Sequence, residues 1–135
     1  MQRFNVRIYG LYLEGSKLMV CEEQIRGQQI VKFPGGGLEF GEGTIDCLKR
    51  EFLEEMNLRI EVLSHFYTTD YFQPSAYDNS QVISIYYFVR PLDVLILPFK
   101  TEREHFYLVE LDESLPGKVQ LPIDNLVVRK LLQHI

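Results

Sequence analysis

The chain has 135 residues, 46% of them apolar and 24% charged, and its 14 Lys and Arg against 19 Asp and Glu leave a net charge of −5. That length suits one substantial core, so a single domain over residues 1–135 is expected. No apolar run approaches the roughly eighteen residues needed to cross a bilayer, and the scattered basic residues give no general attraction to a nucleic acid polymer.

The opening "MQRFNVRIYG" has neither an apolar signal core nor a cleavage pattern, which points to the cytoplasm. "FNVRIYGLYL" reads as a strand, and "GSKLMVCEE" follows it after the turn signal Glu14-Gly15-Ser16, so a hairpin is expected between them. "QQIVKFP" is a third strand, stopped by Pro34, and in the Gly-rich loop "PGGGLEFGEG" the segment "LEF" suits a short edge strand. Thr44 to Met56 changes to a helical pattern, with Thr44 as a candidate N-cap, Asp46 in the first turn where the helix dipole favours it, and Asn57 as a left-handed stop.

Beyond the helix, "LRIEVLSHFYTTDYF" and "QVISIYYFVRPL" are β-branched and aromatic strands separated by the polar loop "QPSAYDNS". The second is apolar at nearly every position through Val89, which predicts burial on both faces. "HFYLVEL" is another strand between loops, and "LPIDNLVVRKLLQHI" places Leu126, Val127, Lys130, Leu131 and His134 at helical spacing. Cys21 and Cys47 make no disulfide framework or metal-ligand pair, and His65, His105 and His134 read as residues without a chemical role.

The helix carries the one unusual arrangement. At 100 degrees per residue with Glu51 as zero, Glu55 lies at about 40 degrees and Glu54 at about −60, while Ile45, Leu48, Phe52 and Met56 fall between about 60 and 140. The apolar stripe therefore borders an acidic face and half-buries its carboxylates. Arg50, at about −100 degrees, can hold one of them but does not balance three. Solvated carboxylates paired with Lys49 and Arg50 would explain the face in structural terms alone. A magnesium ion would balance the charge, since it takes oxygen ligands from carboxylates, water and phosphate. The glycines that precede the helix let backbone approach such an ion or a phosphate closely.

Counted from Gly36, the sequence runs five residues, Glu42, seven residues, Arg50-Glu51, Phe52, Leu53, Glu54-Glu55, Met56, Asn57, Leu58. This resembles the Nudix box of the Nudix hydrolases at every fixed position except Asn57, where the family has Gly. "PGGGLEFGE" is similar to the segment that opens the box, and the order of strands fits the family over nearly the whole chain. Asn is the residue other than Gly that best adopts a left-handed helix stop, so the chemistry is expected to survive the exchange. Cys47 stands where the family carries a small residue; small size explains it, and a soft-metal or redox role is the alternative.

The resemblance implies an α/β Nudix fold, a mixed β-sheet between helices, and a magnesium-dependent pyrophosphohydrolase that cleaves a nucleoside diphosphate joined to another group, with manganese able to substitute. It implies Glu51, Glu54 and Glu55 as metal ligands with the Gly36 carbonyl, Arg50 as the orienting partner of Glu51, and Glu42 acting from behind these ligands. Glu51 is a candidate general base, as are Glu102 and Glu104 in "KTEREHF"; either of the latter could instead be a further metal ligand. In "LPIDNLVVRKL" the resemblance puts a base-contacting polar residue at Asp124, which an N-cap role would equally explain. The expected partner is a small nucleotide diphosphate derivative, and a homodimer is left open. The alternative function is a Nudix-like module that binds or senses a nucleotide without turnover. The retention of Arg50, Glu51, Glu54 and Glu55 favours the enzyme.

Overall fold

The structure, a computed structural model, describes residues 2–134. In chain order it forms β1 (Phe4–Leu11), β2 (Leu13–Glu14), β3 (Lys17–Ile25), β4 (Gln28–Lys32), β5 (Gly35–Gly37), α1 (Thr44–Met56), β6 (Ile60–Thr68), β7 (Gln81–Pro91), β8 (Phe99–Lys100), β9 (Glu104–Glu110), a 3-10 turn (Leu115–Lys118) and α2 (Pro122–His134). These fall into two compact units. The first takes β1 up to Gly10 together with Gly35–Asp93, and the second takes Leu11–Pro34 and the chain from Val94 onward.

The first unit contains a four-stranded sheet in the order β5-β1-β7-β6 and the helix α1. Its packing is tight enough to require a glycine: a Cβ on Gly10 would sit 2.8 Å from the Phe52 ring and 3.2 Å from Val89. Ile8, Leu48, Phe52 and Tyr86 are fully or almost fully buried here, each worth about 1.5 to 3 kcal/mol in transfer from water. The second unit holds a five-stranded sheet in which β3 is flanked by β9 and β4, with Leu18, Val20 and Phe106 in its core. β3 and β4 are joined by the two-residue loop Arg26-Gly27, both with positive φ, at 50° and 78°. That is the backbone pattern which matches the twist of a hairpin, although the sequence gives only Gly27 as a cue.

Four expectations about individual elements change. The strand foreseen over "FNVRIYGLYL" divides, with Phe4–Leu11 in the first sheet and only Leu13–Glu14 pairing with β3, so the hairpin is a short one. The edge strand falls on Gly35–Gly37 and not on "LEF", because three residues without side chains can lie directly along β1. β7 is not buried on both faces: Ser84, Tyr86 and Val89 are buried while most of its other residues are half-exposed. Finally, the N-cap of α1 is Gly43, with no side-chain cap bond; the Thr44 hydroxyl bonds instead to the Tyr87 phenol at 2.8 Å. Asp46 does lie in the first turn, and Asn57 closes the helix in the left-handed region at φ 49°, with the Asn57 N–H bonding Leu53 O and the Leu58 N–H bonding Phe52 O.

Neither cysteine forms a disulfide, and both are buried. No helix among the described residues is long and apolar enough to cross a membrane.

Candidate active site on the first helix

β5 hydrogen-bonds along β1 with Gly37 opposite Arg7, Gly36 opposite Ile8 and Gly35 opposite Tyr9. The closeness of that approach dictates the glycines. Gly35 has φ 146°, and a Cβ there would lie 2.0 Å from the Ile8 carbonyl oxygen. On Gly36, a Cβ would fall 2.5 Å from the carboxyl carbon of Glu51, so the Glu51 carboxylate lies directly over bare backbone.

α1 supplies that carboxylate because its buried stripe is pressed onto the unit's core. Cys47, Leu48, Phe52 and Met56 are the buried residues, whereas Ile45, expected in the stripe, is 43% exposed. The flank is turned toward β5, where the Cys47 thiol donates to the Gly37 carbonyl at 3.5 Å. Burial, reinforced by hydrogen bonding to Glu42, pushes this thiol up to about 12. A neutral, buried thiol suits the small-residue reading of Cys47 and not a redox role.

Arg50 organises the acidic face. Its Nε and Nη2 donate to the two Glu42 carboxylate oxygens at 3.0 and 2.7 Å, a bidentate pair. Its Nη1 donates to Glu51 at 3.0 Å and to Glu54 at 3.1 and 3.3 Å, and Nη2 also reaches the Gly37 carbonyl at 3.1 Å. One arginine thus hydrogen-bonds three carboxylates and lies 3.6 Å from a fourth, Glu39, where the helical geometry allowed for one. Glu42 also accepts the Glu39 N–H at 2.9 Å. Led by the bonds from Arg50, these interactions bring the Glu42 carboxyl down from 4.5 to about 2 and push Arg50 well above the usual guanidinium range. Side-chain exposure is 16% for Glu42, 14% for Glu51 and 23% for Arg50, against 58% for Glu54, so the cluster is shielded at its centre and open at Glu54. Glu55 is half-buried on the same helix.

The structure therefore brings together Gly36, Glu42, Arg50, Glu51 and Glu54. Among the described residues, no three His, Cys, Asp or Glu side chains are gathered tightly enough to share a metal ion. The carboxylates are spread around the Arg50 guanidinium, which supplies the positive charge. Their chemistry nevertheless fits magnesium: the donors are all oxygens, and Glu51 meets a backbone that no side chain screens.

Glu104 and Asp124 belong to the second unit. Glu104 is half-buried at the start of β9, where it accepts the Cys21 thiol at 3.3 Å and its N–H bonds the Thr101 hydroxyl at 3.1 Å. Glu102 is exposed in the turn before it. Asp124 is 2% exposed and lies in the first turn of α2, which begins at Pro122. The cap position is therefore Leu121, and the expected N-cap role of Asp124 gives way to a place inside the first turn. Its neighbour Asn125 ties the helix to the 3-10 turn by donating to Pro116 O at 2.6 Å.

The NUDIX domain family matches this chain over residues 1–129. The chain belongs to the NUDIX family. It is a Nudix-type hydrolase with the family's α/β fold, and solved structures share its backbone at low identity. A NUDIX hydrolase from Nitrosomonas europaea has 18% identity and a TM-score of 0.80, covering 98% of this chain and 90% of that one. The MutT protein from Methanosarcina mazei Go1 has 17% identity and a TM-score of 0.74, over 98% of this chain and 96% of that one. An ADP-ribose pyrophosphatase from Streptococcus suis 89-1591 has 16% identity and a TM-score of 0.65, over 94% and 90% respectively. No curated protein matches the chain.

Proposed function

We propose that this Nudix domain is a cytoplasmic, magnesium-dependent pyrophosphohydrolase that hydrolyses a nucleoside diphosphate linked to another group by attack of water at phosphorus. The observation that carries the reading is the Glu51 carboxylate seated over bare Gly36 and joined through Arg50 to Glu42 and Glu54. Glu51, Glu54 and Glu55, with the Gly36 carbonyl, would hold the ion. Bound there, magnesium or manganese supplies charge neutralisation at the phosphates and a lowered pKa for a bound water.

The chain's own groups have separable tasks. Arg50 fixes the rotamer of Glu51, so that this carboxylate is aimed before substrate arrives and can take the proton from the attacking water. Glu42, depressed to about 2, stays anionic at neutral pH and anchors Arg50 from behind. Exposed Glu54 is the side of the cluster at which substrate phosphates enter.

The name of one structural neighbour, an ADP-ribose pyrophosphatase, supports starting a substrate panel with ADP-ribose, followed by nucleotide sugars, dinucleoside polyphosphates and nucleoside triphosphates. Phosphate or pyrophosphate release should require added magnesium. Magnesium should also raise the melting midpoint of the wild-type protein, because it binds the folded acidic face and not the dispersed carboxylates of the unfolded chain. Loss of that rise in a triple Glu51→Gln, Glu54→Gln, Glu55→Gln variant is the expected result; an equal rise in both proteins puts the ion elsewhere.

A further inference from the structure

α1 carries Glu51, Glu54 and Glu55, so the seat of this helix on the first sheet fixes the place of the ligands proposed for the ion. Its contacts fall on one face of that sheet. Glu51 covers Gly36, which pairs with Ile8 of β1, and two residues on along β1 the Phe52 ring closes over Gly10 beside Val89 of β7. Successive residues of a strand point to opposite faces, so Tyr87 shares the Val89 side of β7 and Tyr86 does not. There it meets the first residue of α1: the Thr44 and Tyr87 hydroxyls share a hydrogen bond of 2.8 Å. Gly43, in the cap position, offers no side chain to the helix end, and Thr44 gives its hydroxyl to β7 instead.

Tyr87 is itself held from the far side. Its ring meets His65 edge-on, with centres 5.7 Å apart and planes at 79°, and His65 Nε2 lies 2.8 Å from the Thr68 hydroxyl. The β6–β7 register slips on both sides of His65, between Val62 and His65 and again between His65 and Tyr67. Such irregularities re-aim a side chain, and here they set His65 against Tyr87, where the Val62–Val89 pairing carried on without a slip would set Ser64. The helical period adds the link to the site. At 100 degrees per residue Thr44 lies about 20 degrees from Glu51, so both project from the same side of α1. The roll that seats Thr44 on Tyr87 is therefore the roll that seats Glu51 over Gly36. Apolar packing of Phe52 is non-directional and leaves that roll open, whereas a hydrogen bond does not.

We propose that Tyr87 is a positioning residue: through Thr44 it sets the roll of α1 and with it the placing of the Glu51 carboxylate over Gly36. This rests on the reading of α1 as a magnesium site and adds a residue that lies outside the box motif. Tyr87→Phe keeps the ring against His65 and deletes only the hydroxyl, and Thr44→Val deletes its partner at nearly equal size. Each should weaken magnesium binding by the free protein about 10-fold, the low end for loss of a group that orients a metal ligand, and should lower kcat at saturating magnesium with KM moved by less than about twofold. The double variant should match the single ones instead of reaching about 100-fold, since the same bond is lost in all three. Thr44→Ser keeps the hydroxyl and should bind magnesium as the wild type does.

Titration of the protein with magnesium alone, followed by calorimetry and by the melting midpoint, tests the residue apart from turnover. Weaker binding in Tyr87→Phe and Thr44→Val, no further loss in the double variant and recovery in Thr44→Ser support the proposal. A lower metal-free melting midpoint with wild-type magnesium affinity in both single variants would make the bond a structural one and overturn it. Additive losses of affinity in the double variant overturn it as well, and in either case turnover by the wild type leaves the enzyme standing. A wild-type protein that binds no magnesium removes the metal reading itself, and the positioning role with it.

Discussion

The two helices are of equal length, 13 residues each, and use polar groups in opposite ways. α1 buries Cys47, Leu48, Phe52 and Met56 and keeps its carboxylates on a shielded flank, where a single arginine bonds three of the acidic groups in reach. α2 buries one carboxylate, Asp124, among Ile123, Val127, Val128 and Leu131. On α1 the acidic charge is concentrated, ordered by Arg50 and still open on one side, whereas on α2 a single carboxylate is enclosed among apolar side chains. On α1 that opening is Glu54; α2 is held by its apolar stripe and by Asn125.

The largest expected effect tests the chemistry of α1. Under the proposed function, Glu54→Gln or Glu55→Gln should lower turnover roughly 100-fold or more, because each would remove an anionic ligand of the metal ion that neutralises charge on the phosphates. Without metal, the melting midpoint should hold or rise slightly as like-charge repulsion is relieved. A variant with wild-type rates in a phosphate-release assay would remove the metal-ligand role from that residue.

The corresponding break in α2 should act on stability alone. Leu131, 2% exposed, is part of the buried stripe, so Leu131→Ala should cost about 2 to 5 kcal/mol in denaturant unfolding. KM for the best substrate should stay within twofold. A large change in KM with little loss of stability would show that α2 shares the chemical work.

The third prediction uses pH. The Glu42 carboxyl titrates near 2 in the folded chain against an ordinary 4.5, so its bonds to Arg50 stabilise the fold fully above about 4.5. That contribution is lost as pH falls from there toward 2, since the unfolded chain takes up the proton first. Melting midpoints measured from pH 6 down to pH 2.5 should therefore fall less steeply in Glu42→Gln than in the wild type. Parallel curves would mean that Arg50 does not hold Glu42 in solution.

The smallest effect concerns the helix stop. Asn57 has φ 49° and ψ 40°, a conformation open to Gly without strain. Asn57→Gly should change unfolding free energy by less than about 1 kcal/mol and keep kcat/KM. A marked loss of activity would assign the Asn side chain a role of its own.

The family, the bounds of α1, its left-handed stop at Asn57 and the place of Arg50 beside Glu51 and Glu54 follow from the sequence alone. All of these depend on neighbours in sequence: one helical turn puts Arg50 beside Glu51 and Glu54, and a left-handed residue must follow the last helical one. The sequence also located the later strands, because β-branched and aromatic runs announce themselves over a few residues. What it misplaced depends on contacts distant along the chain. "PGGGLEF" contains a strand, yet only the approach of β1 decides that the glycines form it, since the bare backbone of Gly35 fits against Ile8 O. Thr44 is a good cap by type, but Tyr87, 43 residues away, takes its hydroxyl. The reach of Arg50 to Glu42 across the loop, and the setting of Arg7 over Gly37, were likewise decided only by folding. Neither pair lies on one turn of helix or one strand, so no local period in the sequence could bring them together.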